Sequence, residues 1–164
     1  MSQSTSVLSD LFVFDLANNH QGDLDHAKRI IEGVANAANK HGVRGALKFQ
    51  FRHIPTFIHP DFKERDDVKH IPRFIETALT GEQYRELASF IRECGLLTMS
   101  TPLDETSVGL LTDLGLDIIK VASCSATDWP LLERIAEENL PVVISTAGLN
   151  LNKIDALVHF FKER

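Results

Sequence analysis

Leu47-Lys48-Phe49-Gln50 and Lys120-Val121-Ala122-Ser123 are apolar stretches that end in polar, chemically capable side chains, and a helical pattern follows each of them. Three further stretches have the same form: Asp15-Leu16-Ala17-Asn18-Asn19-His20, Met99-Ser100-Thr101-Pro102 and Ile144-Ser145-Thr146. In a parallel α/β sheet the carboxyl ends of the strands share one edge, and ligands bind there. Two lysines and several hydroxyls at that edge predict a site for an anionic, oxygen-rich ligand, with phosphate as the first candidate.

Hydrophobic periodicity divides the chain into five strand–helix units. The predicted strands are 11–16, 44–49, 96–100, 117–122 and 142–145. Helix starts are marked by Asp23, by a capping box from Thr80 to Gln83, and by Asp104 and Asp128. Residues 51–79 form a long connection with a short helix expected near 72–79. Connections of this length often act as lids or binding elements.

Repeated strand–helix alternation predicts a parallel sheet, for which two architectures compete. A (β/α)₈ barrel of the TIM type takes about 250 residues, so five units would be a barrel truncated after about five strands. A five-stranded doubly wound sheet fits the length, but it concentrates its site at one switch point. Because every strand here ends in a polar tip, we favour the barrel and keep the doubly wound sheet as the alternative. Residues 1–10 are expected to be a flexible N-terminus and 11–164 a partial barrel domain.

Composition excludes several classes of function. The net charge of -6 argues against nucleic acid as a partner. The chain contains no run of about 18 apolar residues, so the sequence predicts no membrane span. Residues 1–10 lack the features of a signal peptide. The two cysteines, Cys94 and Cys124, do not have metal-ligand spacing. These observations predict a cytoplasmic protein with reduced thiols.

Taken in order, the motifs resemble the N-terminal part of the N-acetylneuraminate (sialic acid) synthase family. The similarity covers roughly residues 11–160 and includes Asn19-His20-Gln21-Gly22 and Ser100-Thr101-Pro102-Leu103-Asp104 beside the strand ends quoted above. The resemblance implies a (β/α)₈ barrel enzyme of carbohydrate biosynthesis. It also implies a carbon–carbon bond-forming transferase that condenses phosphoenolpyruvate with an N-acetylated amino sugar, using a divalent metal, Mn or Mg.

The resemblance further implies roles for single residues. Asp15 stands where the family usually has Glu, close to the reacting centre, and is the expected catalytic residue. Gln50 matches a position that faces the sugar. The positions that match those holding phosphoenolpyruvate, through its phosphate and carboxylate, are Lys48, Thr101, Lys120, Ser123 and Ser145.

The chain also departs from the family pattern. The usual Ser-Gly-Glu after the fourth strand is Ser123-Cys124-Ser125, so a hydroxyl replaces a carboxylate. The resemblance places the family's two metal-binding histidines on strands beyond Arg164, so no metal ligands are expected in residues 1–164, and the family's antifreeze-like domain is not expected within them either. This fragment is therefore expected to be inactive alone. Two open sheet edges and an uncovered inner face also predict a homo-oligomer.

Alternative interpretations remain open for the function and for single residues. The chain could be a non-catalytic relative that keeps a phosphate pocket, or a barrel enzyme of the aldolase type that forms a Schiff base through a lysine. Ser123 and Ser145 could be helix N-caps, a role compatible with anion binding. Cys124 is expected to be a buried or partly buried thiol rather than a nucleophile.

Overall fold

The computed structural model describes residues 6–65 and 67–164. These residues form five parallel strands and seven helices. The strands are β1 (Leu11–Asp15), β2 (Arg44–Phe51), β3 (Leu97–Pro102), β4 (Ile118–Val121) and β5 (Val142–Ile144). The helices are α1 (Leu24–His41), α2 (Ile54–Phe57), α3 (His70–Glu76), α4 (Gly81–Glu93), α5 (Glu105–Asp113), α6 (Trp129–Ala136) and α7 (Leu151–Lys162). Short 3₁₀ turns occupy Pro60–Phe62 and Ser123–Ser125. None of the helices in the described residues is long and apolar enough to cross a bilayer.

The strands pair in chain order, β1-β2-β3-β4-β5, and every pair is parallel. A doubly wound sheet would need a reversal of the strand order, which moves later helices to the opposite face. Here the strand order is sequential, and each strand–helix–strand connection has the same right-handed sense. All the connecting helices therefore lie on one face of the sheet. The sheet is therefore a half-barrel, and the predicted barrel portion is confirmed over the doubly wound alternative.

Successive residues of each strand point to opposite faces of this sheet. Leu47, Phe49 and Phe51 of β2 join the main core, in which residues of α1, α4, α5, α6 and α7 also take part. The other face, which is the inner face of the half-barrel, has a small cluster built from Ala46, Met99 and Ile118. Alternation along β2 places Lys48 and Gln50 on the same inner face as Ala46.

The helix boundaries agree with the predicted caps. Asp23 accepts a hydrogen bond from the His26 N–H, and the capping box between Thr80 and Gln83 is complete in both directions. Gly42 ends α1 at a positive φ of 62°, which favours glycine. The interpretation of Ser123 and Ser145 as N-caps is wrong, because the caps of α6 and α7 lie further along the chain, at Asp128 and Asn150.

Two strands extend beyond the predicted ends. β2 continues to Phe51 and β3 to Pro102, since Gln50 pairs with Thr101 and Phe51 with Pro102. Polar side chains at these positions hid the strand pattern, although their backbone groups remain in the ladder. The helix expected near 72–79 is α3, which begins two residues earlier, at His70, with Pro72 in its first turn.

The segment predicted to be a flexible N-terminus, residues 1–10, lies partly outside the described residues, since 1–5 are not among them. In the described remainder, Arg44 donates hydrogen bonds to the carbonyls of Ser9 at 2.6 Å and Val7 at 3.3 Å. Val7 also packs against the inner-face cluster. These contacts cover the amino end of that cluster, and the flexibility of the whole segment stays a prediction.

A hydrogen-bond network joins α4, β3 and the turn before β4 near the amino ends of the strands. Asp117 Oδ2 accepts from the Thr98 N–H at 2.8 Å and from the Thr98 hydroxyl at 2.6 Å. Arg92 Nη2 donates to the carbonyls of Leu114 at 2.9 Å and Gly115 at 2.6 Å. Because Thr98 is fully buried, its N–H and hydroxyl depend on the Asp117 carboxylate as their acceptor.

We expect Asp117→Ala to lower the free energy of unfolding by about 1–3 kcal/mol, because it leaves a buried amide and hydroxyl without their acceptor. Urea denaturation followed by circular dichroism measures this change. Asp155→Ala, at an exposed position on α7, is the matched control and should stay within about 0.5 kcal/mol of the wild type. Equal midpoints for the two variants would show that the network contributes nothing to stability.

Candidate functional site

The predicted site residues lie at the carboxyl edge of the half-barrel. Asp15 is the last residue of β1, Lys48 and Gln50 lie near the end of β2, Thr101 is in β3 and Lys120 is in β4. Ser123 opens the 3₁₀ turn after β4, and Ser145 directly follows β5. The structure therefore brings these residues to one edge, while their binding roles stay predictions.

Asp15 and Lys48 are neighbours in the register of β1 and β2, and they form an ion pair of 2.9 Å between Oδ1 and Nζ. Lys48 is only 7% exposed, whereas the Asp15 side chain is 53% exposed. A buried ammonium needs a charged or polar partner to offset its lost hydration, and Asp15 supplies one. The carboxylate of Asp15 can still meet a ligand from the solvent side.

Lys120 is the second cation of the site. Its burial, and next its repulsion by Lys48, lower the pKa of the Lys120 ammonium, while Asp15 and Cys124 oppose this shift. The two lysines are thus close enough to influence each other. In the part of the chain that is described, Lys120 forms no salt bridge, so the three charged groups leave a net positive charge at this edge.

Gln50 and Thr101 are paired across β2 and β3 and offer neutral hydrogen-bonding groups. Gln50 Oε1 accepts from Arg52 Nη2 at 3.1 Å, and because arginine can only donate, the Gln50 NH₂ group is left for another acceptor. Thr101 is 2% exposed, and its hydroxyl has no partner among residues 6–65 and 67–164. A buried hydroxyl without a partner at a strand end is a group that a ligand or water can satisfy.

The turn after β4 differs from its prediction. Ser123 is exposed and Ser145 is half-buried, so both hydroxyls are accessible at the site edge. Cys124 is exposed, and the expectation of a buried or partly buried thiol is wrong because the 3₁₀ turn carries it to the surface. Ser125, which stands where the family usually has Glu, is buried.

Sequence reasoning missed Arg52, which directly follows β2 and lies two residues beyond Gln50. Its guanidinium carbon is 4.2 Å from the centre of the Phe74 ring on α3. Arg52 lines a half-open cavity of about 240 Å³ together with Gln50 and Tyr84, between the end of β2 and the long connection. The strand period of two would have shown that Lys48, Gln50 and Arg52 share one phase.

The described residues do not by themselves fit a metal site. They contain no group of three His, Cys, Asp or Glu side chains placed to hold a metal. Asp15 is paired with Lys48, and His20 Nδ1 accepts the Gly22 N–H at 3.0 Å. His20 is buried, and burial lowers the pKa of its imidazole. The divalent metal, Mn or Mg, stays an expectation of the resemblance.

Comparisons with known proteins bear on the family and the fold of this chain. The NeuB family model matches residues 34–164. N,N'-diacetyllegionaminic acid synthase of Campylobacter jejuni is 30% identical over 153 residues, which cover 88% of this chain and 44% of that protein. The chain thus spans less than half the length of this curated relative.

Two crystal structures show the same fold. A protein of Chromobacterium violaceum, described as spore coat polysaccharide biosynthesis protein E, is 46% identical with a TM-score of 0.89 over 92% of this chain and 45% of its own. The sialic acid synthetase of Leptospira borgpetersenii is 24% identical with a TM-score of 0.78, over 94% of this chain and 50% of its own, and supports the fold alone. Because the family model matches well over half of the chain, the predicted resemblance is confirmed, and the chain belongs to the NeuB family.

Proposed function

We propose that this chain supplies the phosphoenolpyruvate-binding part of a synthase that joins phosphoenolpyruvate to an N-acetylated amino sugar. The observation that carries the proposal is the pair of neighbouring lysines, Lys48 and Lys120, for which Asp15 is the salt-bridge carboxylate found among residues 6–65 and 67–164. Phosphoenolpyruvate carries several negative charges on two groups, so it would neutralise this edge. The relative from Campylobacter jejuni, which is named as a synthase, supports the same reaction class.

The proposed reaction assigns a task to each group at the edge. C3 of phosphoenolpyruvate forms a bond to the aldehyde carbon of the sugar, whose oxygen takes up a proton and becomes a hydroxyl, and positive charge develops at C2. Water adds to C2 and gives up its protons, and phosphate leaves with cleavage of the C–O bond, so that C2 becomes a ketone. In the proposal Lys48, Lys120 and the hydroxyls of Thr101, Ser123 and Ser145 hold the anionic donor in place. Asp15 would accept or donate a proton at the reacting centre, because its exposed carboxylate can reach a ligand there.

Gln50 is the proposed contact for the acceptor sugar. Its amide oxygen is occupied by Arg52, so its NH₂ group would donate to a sugar oxygen. The protein as a whole would then be a carbon–carbon bond-forming transferase of carbohydrate biosynthesis. We place it in the cytoplasm, where its free cysteines, Cys94 and Cys124, would stay reduced.

We also propose that the chain forms a homo-oligomer. Apolar side chains are exposed on the two edge strands, with Phe12 at 57% and Val13 at 45% on β1, and Val143 at 36% on β5. Edge strands also present backbone groups that can pair with another chain. Packing between copies would cover both kinds of surface.

Two specific observations favour alternative functions. Ser125 replaces the family's Glu, which supports a non-catalytic relative that keeps the phosphate pocket. The lowered pKa of Lys120 is a property that amine nucleophiles share, and it supports a Schiff-base aldolase. Lys48 and the hydroxyls nearby still favour an anionic ligand over an imine, so both stand second to the synthase.

We expect Lys120→Ala to weaken phosphoenolpyruvate binding about tenfold or more, since a charge-assisted contact contributes about 1.5–3 kcal/mol and about 1.4 kcal/mol corresponds to tenfold. Calorimetric titration measures the affinity, and thermal melts should show nearly unchanged folding. Lys153→Ala, an exposed lysine on α7, is the control for loss of one positive charge. Equal affinity for wild type and Lys120→Ala would overturn the assignment of the site.

The affinity for phosphoenolpyruvate should also fall as the pH rises into the alkaline range. Burial and Lys48 lower the pKa of free Lys120, and a bound anion stabilises its charged form, so binding raises that pKa. The contribution of the charged Lys120 to binding is complete below the pKa of Lys120 in the free protein. It is lost as the pH rises through the pKa of Lys120 in the complex. Titrations in buffers with different ionisation enthalpies should detect proton uptake, which Lys120→Gln should reduce. An affinity that does not depend on pH would contradict this.

This chain alone should release no phosphate from phosphoenolpyruvate when an N-acetylated hexosamine and Mn²⁺ or Mg²⁺ are supplied. The half-barrel has no described group of three metal-binding side chains, and a serine stands at the family's Glu position. A colorimetric phosphate assay tests this, and a metal-dependent rate would refute it.

Borohydride trapping with a carbonyl substrate, followed by mass spectrometry, tests for the aldolase, because only an imine leaves a covalent adduct on a lysine.

A further inference from the structure

Arg52 directly follows β2 and is held by two aromatic rings of the long connection. Its guanidinium carbon lies 4.2 Å from the ring centre of Phe74 on α3 and 5.8 Å from that of Phe57 on α2. The two rings are also in contact with each other, edge to face, with their centres 6.0 Å apart. A guanidinium is attracted to the face of an aromatic ring. The two short helices therefore fix where Arg52 lies.

A carboxylate does not perform this task. Among residues 6–65 and 67–164, none forms a salt bridge with Arg52. Asp104 binds the next residue along the chain, and both of its oxygens are engaged: Oδ2 accepts the His53 N–H at 2.9 Å, and Oδ1 accepts the Ser107 N–H at 2.8 Å. Asp104 thus holds the start of the long connection, while the aromatic rings hold the guanidinium.

The position of Arg52 determines which way the Gln50 amide faces. Arg52 Nη2 donates to Gln50 Oε1 at 3.1 Å. Because arginine has donors only, this bond requires the amide oxygen, and not the NH₂ group, to face the guanidinium. In the opposite orientation two sets of N–H donors would face each other, and both would lose a partner. The NH₂ group of Gln50 is therefore directed away from Arg52.

The Gln50 amide has no second hydrogen bond that would fix its orientation among residues 6–65 and 67–164. Its backbone is held in the ladder opposite Thr101, but the terminal torsion of a glutamine side chain is broad and roughly two-fold. Without the bond from Arg52, the two orientations of the amide would be close in free energy. A ligand that needs the NH₂ group would then have to select one of them.

We propose that Arg52 is a positioning residue for the acceptor: clamped by Phe57 and Phe74, it holds the Gln50 amide so that the NH₂ group meets the acceptor sugar. The inference rests on the proposed function, which makes Gln50 the contact for that sugar. It adds that the sugar presents an accepting oxygen at this point, from a carbonyl or a hydroxyl. It also makes the contact depend on the packing of α2 and α3, which lie outside the strand that carries Gln50.

The test is a double-mutant cycle on the protein saturated with phosphoenolpyruvate, with an N-acetylated hexosamine titrated by calorimetry. Arg52→Met keeps a long side chain against the rings but removes the donors, and we expect it to weaken sugar binding about fivefold or more. Arg52→Lys retains a donor and should restore the affinity to within about threefold of the wild type. In a Gln50→Ala background, Arg52→Met should change the affinity by less than about twofold, because a positioning residue acts only through the group it positions.

A second variant and a control accompany the cycle. Phe74→Leu loosens the clamp without touching the guanidinium, and it should weaken sugar binding in the wild-type background but not beside Gln50→Ala. It gives the same comparison if thermal melts show that Arg52→Met is unfolded at the assay temperature. Arg85→Met, at an exposed position on α4, removes an arginine elsewhere and should leave the sugar affinity unchanged.

The outcomes separate this inference from the proposed function. Equal sugar affinity for wild type and Arg52→Met overturns the inference, and so does a loss of the same size beside Gln50→Ala, which would mean that Arg52 acts without Gln50. A wild type that binds phosphoenolpyruvate but no sugar overturns it as well. Arg52→Met should keep the affinity for phosphoenolpyruvate within about threefold. Failure of the wild type to bind phosphoenolpyruvate would instead remove the proposed function, and the same cycle on the free protein would then decide the inference.

Discussion

The parallel register of β1 and β2 is the constraint on which the charged edge depends. It sets Asp15 opposite Lys48, and this places the Asp15 carboxylate against a buried ammonium. A slip of one residue would turn Lys48 into the helix-covered core, where Phe49 now packs, and would expose that phenylalanine on the inner face. The burial of Phe49 and Phe51 under α4 therefore fixes the orientation of Lys48 and Gln50 as well.

The positive charge at this edge lies in two separate groups of residues. The first is the Lys48–Lys120 pair, whose mutual repulsion is only partly relieved by Asp15. The second is Arg52, held over Phe74 and joined to the first part through Gln50. Each part bears positive charge that the described residues do not balance.

Much of the fold followed from sequence because local signals agreed with the global arrangement. Asp23, Gln83 and Asp128 appear at helix starts as capping chemistry requires, and the polar strand tips favoured a barrel before strand order was known. The extensions of β2 and β3 were not predicted, because the polar side chains of Gln50 and Thr101 interrupt the apolar pattern while their backbones remain paired. The exposure of Cys124 depends on the 3₁₀ turn, which leaves no periodic signal over three residues.

The site residues were found because each follows a recognisable strand, but the importance of Arg52 depends on tertiary packing. Its stacking partner, Phe74, is 22 positions away in a connection whose path no local pattern predicts. That no carboxylate forms a salt bridge with Arg52 among the described residues is likewise a property of the folded surroundings. Sequence reasoning can identify a charge, but only the fold shows whether that charge is balanced.

The network of Arg92, Thr98 and Asp117 lies near the amino ends of the strands, at the opposite edge from the lysines. The groups that hold the sheet together there are thus different residues from those that would meet ligands. A lineage can therefore exchange side chains at the carboxyl edge, as with Asp15 for Glu or Ser125 for Glu, without loosening the scaffold. Because of this division, a single substitution at the carboxyl edge can change the groups offered to a ligand while the network that supports the sheet stays intact.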